Sequence, residues 1–492
     1  MKPTKILELK TTDWMKGLSV QSGFSLGGLF RIADNFDPFE EMCYFKPTLA
    51  PVQVDGTTIS TKVNSLVSKS DGVSGYVFAI GTRTGGTGNK CLYRIKLDDG
   101  TVVDYSSQID QHDGASTIPH QGITYWNGRL IYEANGVIRS NIFTPDSGSD
   151  TNLLSTSNTG LTGADVIFGV GSDGYLYYTA NQGHSIGKIV LNTGTSGNVN
   201  NAFTFTDANL VPKDITSDGF YTIFLADNNY QRSLLVNATC KIFFWDTISS
   251  KAEVIYDIPD SYVISAKYVN GRVLILGASG LWVCNSATPP KLVMPITANR
   301  LPTLASQVSV KGNILYWASA SIGGKIYAYG SDMGKDILFS PYYTNDSSNL
   351  NTCLVCSGEY FVAGVDEGVT TPKVFILNSG TARSGATIQT TTTPLVQPYS
   401  LSHIKVVIKK PLDTGEEITV QLLNANGGII TDTITKTTLV NGNKQELLFE
   451  PKPSSITVKS FEDFYLAINT NGAIIQRATV YGIPIDDFSQ NL

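Results

Sequence analysis

Residues 263–284 read VISAKYVNGRVLILGASGLWVC and contain the pattern that decides the fold. Two apolar runs flank Asn270-Gly271, a pair that adopts the positive φ angles of a two-residue β-hairpin loop at little cost. A third short apolar run, GLWVC at 280–284, follows directly and has the length of a further strand. The stretch therefore predicts a hairpin that is extended by a third strand.

The same unit recurs along the chain, with turn glycines at positions 75, 128, 174, 219, 271, 312 and 358, which are 41 to 53 residues apart. A period of about 45 residues made of four short strands is typical of a β-propeller blade. We therefore expect an all-β fold with a β-propeller of about seven blades over residues 61–385. Six or eight blades stay open, because terminal units are often split to close the ring. A β-sandwich or solenoid with evenly spaced turns is the alternative.

The two ends of the chain differ from this repeat. Residues 1–60 contain extended and irregular segments, which we expect to lead into the ring. Residues 386–400 read ATIQTTTTPLVQPYS, and this Thr- and Pro-rich composition predicts a linker. Residues 401–492 contain short alternating runs separated by turn signals such as Asn441-Gly442 and Asn471-Gly472, which predict a small C-terminal β-sandwich domain.

Composition excludes several classes of protein. The 492 residues are 41% apolar and 16% charged, which excludes wholesale disorder. The net charge of −6 argues against a general nucleic-acid coat, although DNA could still pass through a channel. There is no apolar run of about 18 residues for a membrane span, and residues 1–17 do not read as a secretory signal. The cysteines are too sparse for a disulfide scaffold, and we expect free thiols made in a reducing cytosol: Cys43, Cys91, Cys240, Cys284, Cys353 and Cys356.

Metal and redox motifs are weak in this sequence. Cys353-x-x-Cys356 resembles half of a zinc knuckle or a redox pair, but it lies on a predicted strand and no second pair follows. The four histidines, none of which has metal-ligand spacing, are His112, His120, His184 and His403. We therefore predict no metal site and no cofactor, and we interpret the two cysteines as core thiols.

Catalytic motifs are also incomplete. Ser172-Asp173-Gly174 and Ser217-Asp218-Gly219 resemble half of the Asp box of sialidases, and Phe30-Arg31-Ile32 resembles the start of their FRIP motif, with Ala33 in place of proline. Adjacent carboxylates on a strand point to opposite faces, so the acidic pairs do not by themselves predict glycoside cleavage; the pairs are Glu40-Glu41, Asp98-Asp99, Glu416-Glu417 and Asp486-Asp487. We predict no catalytic residue and no enzyme activity. A glycan- or small-molecule-binding or hydrolysing propeller of sialidase type stays as the alternative.

Three features resemble one family. The start SGFSLGGLFRIADNFDPFEEMCYFKPTLAPV (22–52) is similar to the leaders of bacteriophage tail proteins that carry a propeller. The ring between is rich in Gly and Thr. The end, which begins HIKVVIKKPLDTGEEITVQL at 403, resembles the terminal sandwich of those proteins. The layout of the whole chain thus resembles the hub, nozzle or adaptor proteins at the portal end of a virion.

This resemblance implies a structural role without catalytic residues. The chain would be a component of the virion, part of the tail or of the portal-proximal assembly, synthesised in the host cytoplasm. Its partners would be other tail or portal proteins, arranged in several copies around a symmetry axis, with genomic DNA passing through the assembly as a further candidate partner. Apart from the resemblance, exposed aromatic residues such as Tyr342-Tyr343 are candidates for protein contacts, with ordinary loop packing as the alternative. A cellular propeller scaffold is a further alternative.

Overall fold

A computed structural model of the chain is all-β, with two short 3-10 segments, η1 (Ala298–Arg300) and η2 (Ala305–Gln307), among the residues it describes. The described residues are 2–9, 30–36, 45–54, 62–69, 75–82, 90–105, 122–134, 137–142, 151–153, 166–180, 184–228, 238–319, 325–330, 337–343, 350–358, 360–366, 373–381, 385–437, 444–451 and 461–485. In these ranges, no helix is long and apolar enough to cross a membrane. The chain forms two compact units, a propeller unit (51–326 and 344–377) and a curled-sheet unit (1–50, 327–343 and 378–492), with one border inside the strand at 325–330.

The propeller unit contains seven antiparallel sheets, which we number as blades 1–7 in chain order and describe from the innermost strand outward. Blade 1 contains β4 (Lys62–Ser68), β5 (Tyr76–Thr82), β6 (Lys90–Lys96) and β7 (Val102–Asp104). Blade 2 contains β8 (Ile123–Trp126), β9 (Arg129–Ala134), β10 (Val137–Asn141) and β11 (Thr151–Asn152). Blade 3 contains β12 (Phe168–Val170), β13 (Leu176–Ala180), β14 (Ser185–Ile189) and β15 (Val199–Thr204). Blade 4 contains β16 (Val211–Ser217), β17 (Thr222–Asp227), β18 (Cys240–Trp245) and β19 (Val254–Ile258). Blade 5 contains β20 (Val263–Val269), β21 (Arg272–Gly277), β22 (Gly280–Asn285) and β23 (Thr288–Pro295). Blade 6 contains β24 (Val308–Lys311), β25 (Ile314–Ala318) and β26 (Lys325–Gly330). Blade 7 contains β28 (Leu350–Ser357), β29 (Tyr360–Asp366), β30 (Lys373–Leu377) and β3 (Val52–Gln53).

The blades close into a ring. Each innermost strand adjoins the innermost strand of the next blade, and β28 adjoins β4. The outermost strand of blade 7 comes from the other end of the chain, because Val52 of β3 pairs with Ile376 of β30. The prediction of a seven-bladed propeller is confirmed. The ring also recruits residues 52 and 53, which the sequence analysis had assigned to the leading region.

The hairpin turns explain why the repeat was visible in the sequence. Asn270 and Gly271 have φ angles of 47° and 80°, and the flanking residues Val269 and Arg272 pair directly. Asn127 and Gly128 repeat this geometry in blade 2, with φ angles of 47° and 77°. Both are therefore two-residue hairpin loops with positive φ at both positions, a conformation in which Asn and Gly are the least strained residues.

The core of the ring lies between neighbouring blades. Along β17, Ile223 and Leu225 pack in one apolar cluster with residues of blade 5, such as Ile275. Phe224 and Ala226, which alternate with them, pack in a second cluster with residues of blade 3. Since both faces are covered, β17 is buried throughout, and its four central residues, 223–226, form a continuous apolar run, in contrast to a half-exposed strand.

The curled-sheet unit contains the remaining strands. They are β1 (Thr4–Leu9), β2 (Phe30–Asp34), β27 (Ile337–Tyr343), β31 (Gly385–Thr390), β32 (Thr393–Ile408), β33 (Glu417–Leu423), β34 (Ile434–Thr437), β35 (Glu446–Phe449), β36 (Phe461–Asn471) and β37 (Ile475–Pro484). The strand order is β1-β37-β32-β36-β31-β2-β27. In addition, β35 pairs with β32, β33 pairs with β36, and β34 pairs with β33. One inner face carries the buried residues Ile404, Val406, Phe449, Ile468 and Val480.

Two details of the sequence analysis change here. The expected sandwich of two stacked sheets is a single curled sheet, because the long strands β32 and β36 continue from one side of it to the other. The stretch 386–400, predicted as a linker, forms β31 and the first half of β32. Its Thr content favours extended structure, and its prolines fall where the pairing of β32 shifts register between Pro394 and Tyr399.

Candidate interaction surface

The cysteine motif lies within a strand. Cys353 and Cys356 are three residues apart on β28, so they point to opposite faces of the sheet. Cys353 is completely buried, with its Sγ atom 3.7 Å from the carbonyl oxygen of Val63. Burial raises the pKa of the Cys356 thiol to about 12. Across the described ranges, no group of three or more His, Cys, Asp or Glu side chains is placed to hold a metal ion.

The two half Asp boxes act as turn caps in the propeller. Asp173 accepts hydrogen bonds from the Tyr177 hydroxyl and the Lys188 ammonium, both at 2.7 Å. Asp218 accepts the backbone N–H groups of Phe220 and Tyr221 at 2.9 and 2.7 Å. Each carboxylate is therefore engaged in its own blade. The FRIP-like residues lie in β2 of the curled-sheet unit.

The other acidic pairs are either in turns or outside the described residues. Asp99 lies in the turn between β6 and β7, where it accepts hydrogen bonds from Lys96 (2.7 Å) and the Thr101 N–H (3.0 Å). The bond from Lys96 is the main reason that the pKa of Asp99 falls well below its usual value. Glu416 lies 3.5 Å from the Lys410 ammonium in the curled-sheet unit. Glu40-Glu41, Asp486-Asp487, His112, His120 and the side chains of Tyr342-Tyr343 lie outside the described residues.

Two buried carboxylates of blade 4 accept hydrogen bonds from blade 5. Asp214 of β16 is 2% exposed and accepts hydrogen bonds from Ser265 Oγ (2.5 Å), Ala266 N–H (3.0 Å) and Lys267 Nζ (2.7 Å), all on β20. Asp227 of β17 accepts the Val263 N–H at 3.1 Å in the border between the same two blades. Buried carboxylates are costly unless they are fully bonded, and here the bonds join one blade to the next.

We call the end of the propeller that carries the first and third loops of each blade the turn end. In an antiparallel four-stranded sheet these two loops lie at the same end. Neighbouring blades are hydrogen-bonded to each other there. Examples are Trp126 Nε1 to the Gly174 carbonyl (3.1 Å), Ser172 N–H to Thr222 Oγ1 (3.0 Å), Tyr256 hydroxyl to the Ser286 carbonyl (2.9 Å) and Tyr360 hydroxyl to Asp98 Oδ1 (3.2 Å). The turns of adjacent blades therefore form a connected surface.

Several large apolar side chains are exposed on this turn end. Phe220, in the loop between β16 and β17, is 84% exposed, and Ile248, in the loop between β18 and β19, is 89% exposed. The other exposed apolar residues at the turn end of blades 2–5 are Ile142, Val170, Tyr175, Leu191 and Tyr268. Large apolar side chains that are exposed at loop tips are candidates for contacts with another protein.

The sequence analysis did not find this surface. It took Tyr342-Tyr343 as the example of exposed aromatic residues, whereas Phe220 and Ile248 were not singled out. The available signal was the position of Phe220 directly after Asp218-Gly219, since a residue at the tip of a tight turn has no neighbour to cover it. No comparable signal identifies Ile248.

Comparisons with known proteins give distant structural similarity. No family model matches the chain, and no curated protein matches it. Among solved structures, it is similar to the Dos1 propeller (TM-score 0.43, 10% identity, covering 77% of this chain and 95% of that one). It is also similar to a chain of the mitotic checkpoint complex (TM-score 0.41, 10% identity, covering 73% and 97%). The chain is a seven-bladed β-propeller with a further curled sheet, and scores this low carry no argument about its role.

Proposed function

We propose that the chain is a structural protein that acts through protein–protein contacts, as part of the tail or portal-proximal assembly of a bacteriophage virion. The phage assignment rests on the resemblance of residues 22–52 and of the segment from 403 onward to propeller-carrying tail proteins. The structural role rests on the way the propeller uses its polar groups.

The hydrogen bonds between blades 4 and 5 are the main support for the structural role. Asp214 bonds three consecutive residues of the next blade, Ser265, Ala266 and Lys267, and Asp227 bonds Val263. Such bonds resist the sliding of one blade against another, because any displacement would leave a buried charge without its partners. A closed ring of blades also leaves only short strand edges, which the neighbouring blades protect. These properties suit a part that must keep its shape while neighbouring proteins pull on it.

The proposal is tested on intact particles. Particles from cells that make this chain are purified on a density gradient, and their proteins are identified by mass spectrometry. We expect the chain to band with the particles in a fixed ratio to the portal or tail proteins, and cryo-electron microscopy to place copies of it around the tail axis. A chain that is absent from particles contradicts the proposal. So does a purified monomer that cleaves oligosaccharides, because this result would favour the glycan-acting alternative.

A further inference from the structure

Phe220 and Ile248 lie in the first and third loops of blade 4, both at its turn end, and we call them the tip pair. Thr222 and Trp245 are paired neighbours on β17 and β18. Phe220 precedes Thr222 by two residues, and Ile248 follows Trp245 by three, so both loops leave the sheet at the same end and side by side. Each tip residue is more than four-fifths exposed, at 84% and 89%.

The loop that carries Phe220 is held rigidly. Asp218 accepts the N–H groups of both Phe220 and Tyr221, at 2.9 and 2.7 Å. The Tyr221 hydroxyl donates to Glu253 Oε2 at 2.8 Å, and this bond ties the first loop of the blade to the segment that follows the third. Phe220 is therefore presented on a fixed backbone, so that little conformational entropy is lost when it binds.

The loop that carries Ile248 is equally fixed and is also strained. Asp246 accepts the N–H groups of Ile248 (3.0 Å) and Ser249 (2.8 Å), and Trp245 Nε1 donates to the Ser249 carbonyl at 2.6 Å. Thr247 has a φ of 67°, a left-handed conformation that a β-branched residue rarely adopts. The surrounding bonds hold the loop in this conformation, in which Ile248 projects into solvent.

The charges around the tip pair are mainly negative. Three carboxylates, Asp218, Asp246 and Glu253, lie in or beside the two loops, against one ammonium, Lys251. A partner surface that bordered its pockets with Lys or Arg would complement this charge and would be steered toward it. A second copy of the same surface would instead bring like carboxylates together, which disfavours self-association.

We propose that the tip pair anchors this propeller to a different protein, whose surface has apolar pockets for Phe220 and Ile248 bordered by Lys or Arg side chains. The inference rests on the proposed function only in that both assign the chain a role in protein–protein contacts. Exposed aromatic and aliphatic anchors that enter pockets contribute most of the affinity of an interface, while the charged rim sets orientation and rate.

Site-specific photo-cross-linking in the full chain tests the proposal. Ile248 is replaced by p-benzoylphenylalanine in cells that make the particles, and the cross-linked peptide is identified by mass spectrometry. We expect one peptide of another protein, apolar and flanked by Lys or Arg. The yield should fall about tenfold or more when Phe220→Ser is added, and it should also fall with rising salt. The matched control introduces the same cross-linker at Val293, an exposed apolar residue of β23, where Phe220→Ser should leave any yield unchanged.

Three outcomes would overturn the proposal. A cross-link to a second copy of this chain would show self-association, and a peptide flanked by acidic residues would remove the charge argument. The absence of a cross-link at position 248 in particles that contain the chain would refute the anchor while leaving the proposed function intact. If the chain is not in particles but position 248 still cross-links a basic, apolar peptide of another protein, the anchor stands and the virion assignment falls. Thermal melting checks that each variant is folded.

Discussion

Replacing Asp214 should destabilise the protein far more than replacing Asp257, although each carboxylate bonds a lysine at nearly the same distance. Asp214 lies 2.7 Å from Lys267 and is 2% exposed, whereas Asp257 lies 2.6 Å from Lys241 and is 78% exposed. Removing one member of a buried ion pair costs about 3–5 kcal/mol, whereas an exposed pair contributes about 0–1 kcal/mol. The contrast isolates the effect of burial from that of bond length.

The magnitude follows from what Asp214→Ala leaves behind. The variant removes the acceptor of Ser265 Oγ and of the buried Ala266 N–H, and it removes the counter-charge of Lys267. Because 24% of the Lys267 side chain is exposed, its ammonium can regain some water, which places the loss in the lower half of the range, at about 3–4 kcal/mol. If the propeller unit (51–326 and 344–377) unfolds as one cooperative body, an unfolding entropy of about 2.1 cal/mol/K per residue makes this a fall of roughly 5–6 °C in the melting temperature. Asp257→Ala should shift it by about 1 °C.

Differential scanning calorimetry at neutral pH measures both shifts. A further variant, Asp214→Ala combined with Lys267→Met, should recover part of the loss, because it removes the charge that the first substitution leaves without a partner. Equal shifts for Asp214→Ala and Asp257→Ala would refute the reasoning. So would a double variant that melts below Asp214→Ala alone, since Lys267 would then stabilise the border for another reason.

Three further predictions concern packing, thiol reactivity and pH. Gly169→Ala places a Cβ atom 2.6 Å from the Cβ and carbonyl oxygen of Ile215 in the next blade, and it should cost about 1–3 kcal/mol in urea unfolding. Gly194→Ala, whose nearest atom would be 3.8 Å away, should change little; equal losses would contradict the packing argument. Burial raises the pKa of three thiols, those of Cys240, Cys284 and Cys356, to about 12. Iodoacetamide at pH 8 should therefore label these cysteines roughly a thousandfold more slowly than exposed ones, because the thiolate is the reactive form. Rapid labelling of all three in the folded protein would contradict this expectation. Burial opposes ionisation of Asp173, but hydrogen bonds from Lys188 and Tyr177 outweigh this effect and lower the pKa of its carboxyl group. The ionised Asp173 therefore stabilises the folded state at a pH above 3.8, its pKa in the unfolded chain, and this contribution is lost as the pH falls through the lower pKa of the folded state. Asp173→Asn should therefore flatten the loss of stability below about pH 4, and an unchanged slope in denaturation at several pH values would count against this assignment.

The turn chemistry made the propeller predictable from the sequence. Asn127-Gly128 and Asn270-Gly271 occur where both φ angles are positive, so the sequence signal and the backbone requirement are the same physical fact. The repeat of such turns then led to the expectation of about seven blades, with six or eight left open. The outermost strand of blade 7 was not predictable in this way, because β3 has two residues and pairs with a strand more than three hundred positions later. Short edge strands of this kind carry no periodic pattern.

The curled sheet was harder to predict than the propeller for a related reason. Alternating strands identify residues that face a core, but they do not say whether two runs belong to one continuous sheet or to two stacked ones. The register shift in β32 between Pro394 and Tyr399 lets the strand bend and remain paired, and proline-rich sequence there resembles a linker. Strand continuity across such a bulge depends on partners that are distant in the chain.

The candidate interaction surface depends on exposure, which composition alone does not give. Phe220 and Phe224 belong to the same turn-and-strand segment and look equivalent in the sequence, yet Phe220 is 84% exposed and Phe224 is fully buried. The difference arises because Phe224 lies on a strand between two neighbouring blades, whereas Phe220 lies in the loop that precedes this strand. The period that identifies the ring therefore also defines where the turn end is. In blade 4, hydrogen bonds to Asp218 and Asp246 hold the two loops in the conformations that expose Phe220 and Ile248. Those loops are therefore where the protein would distinguish a partner from other proteins.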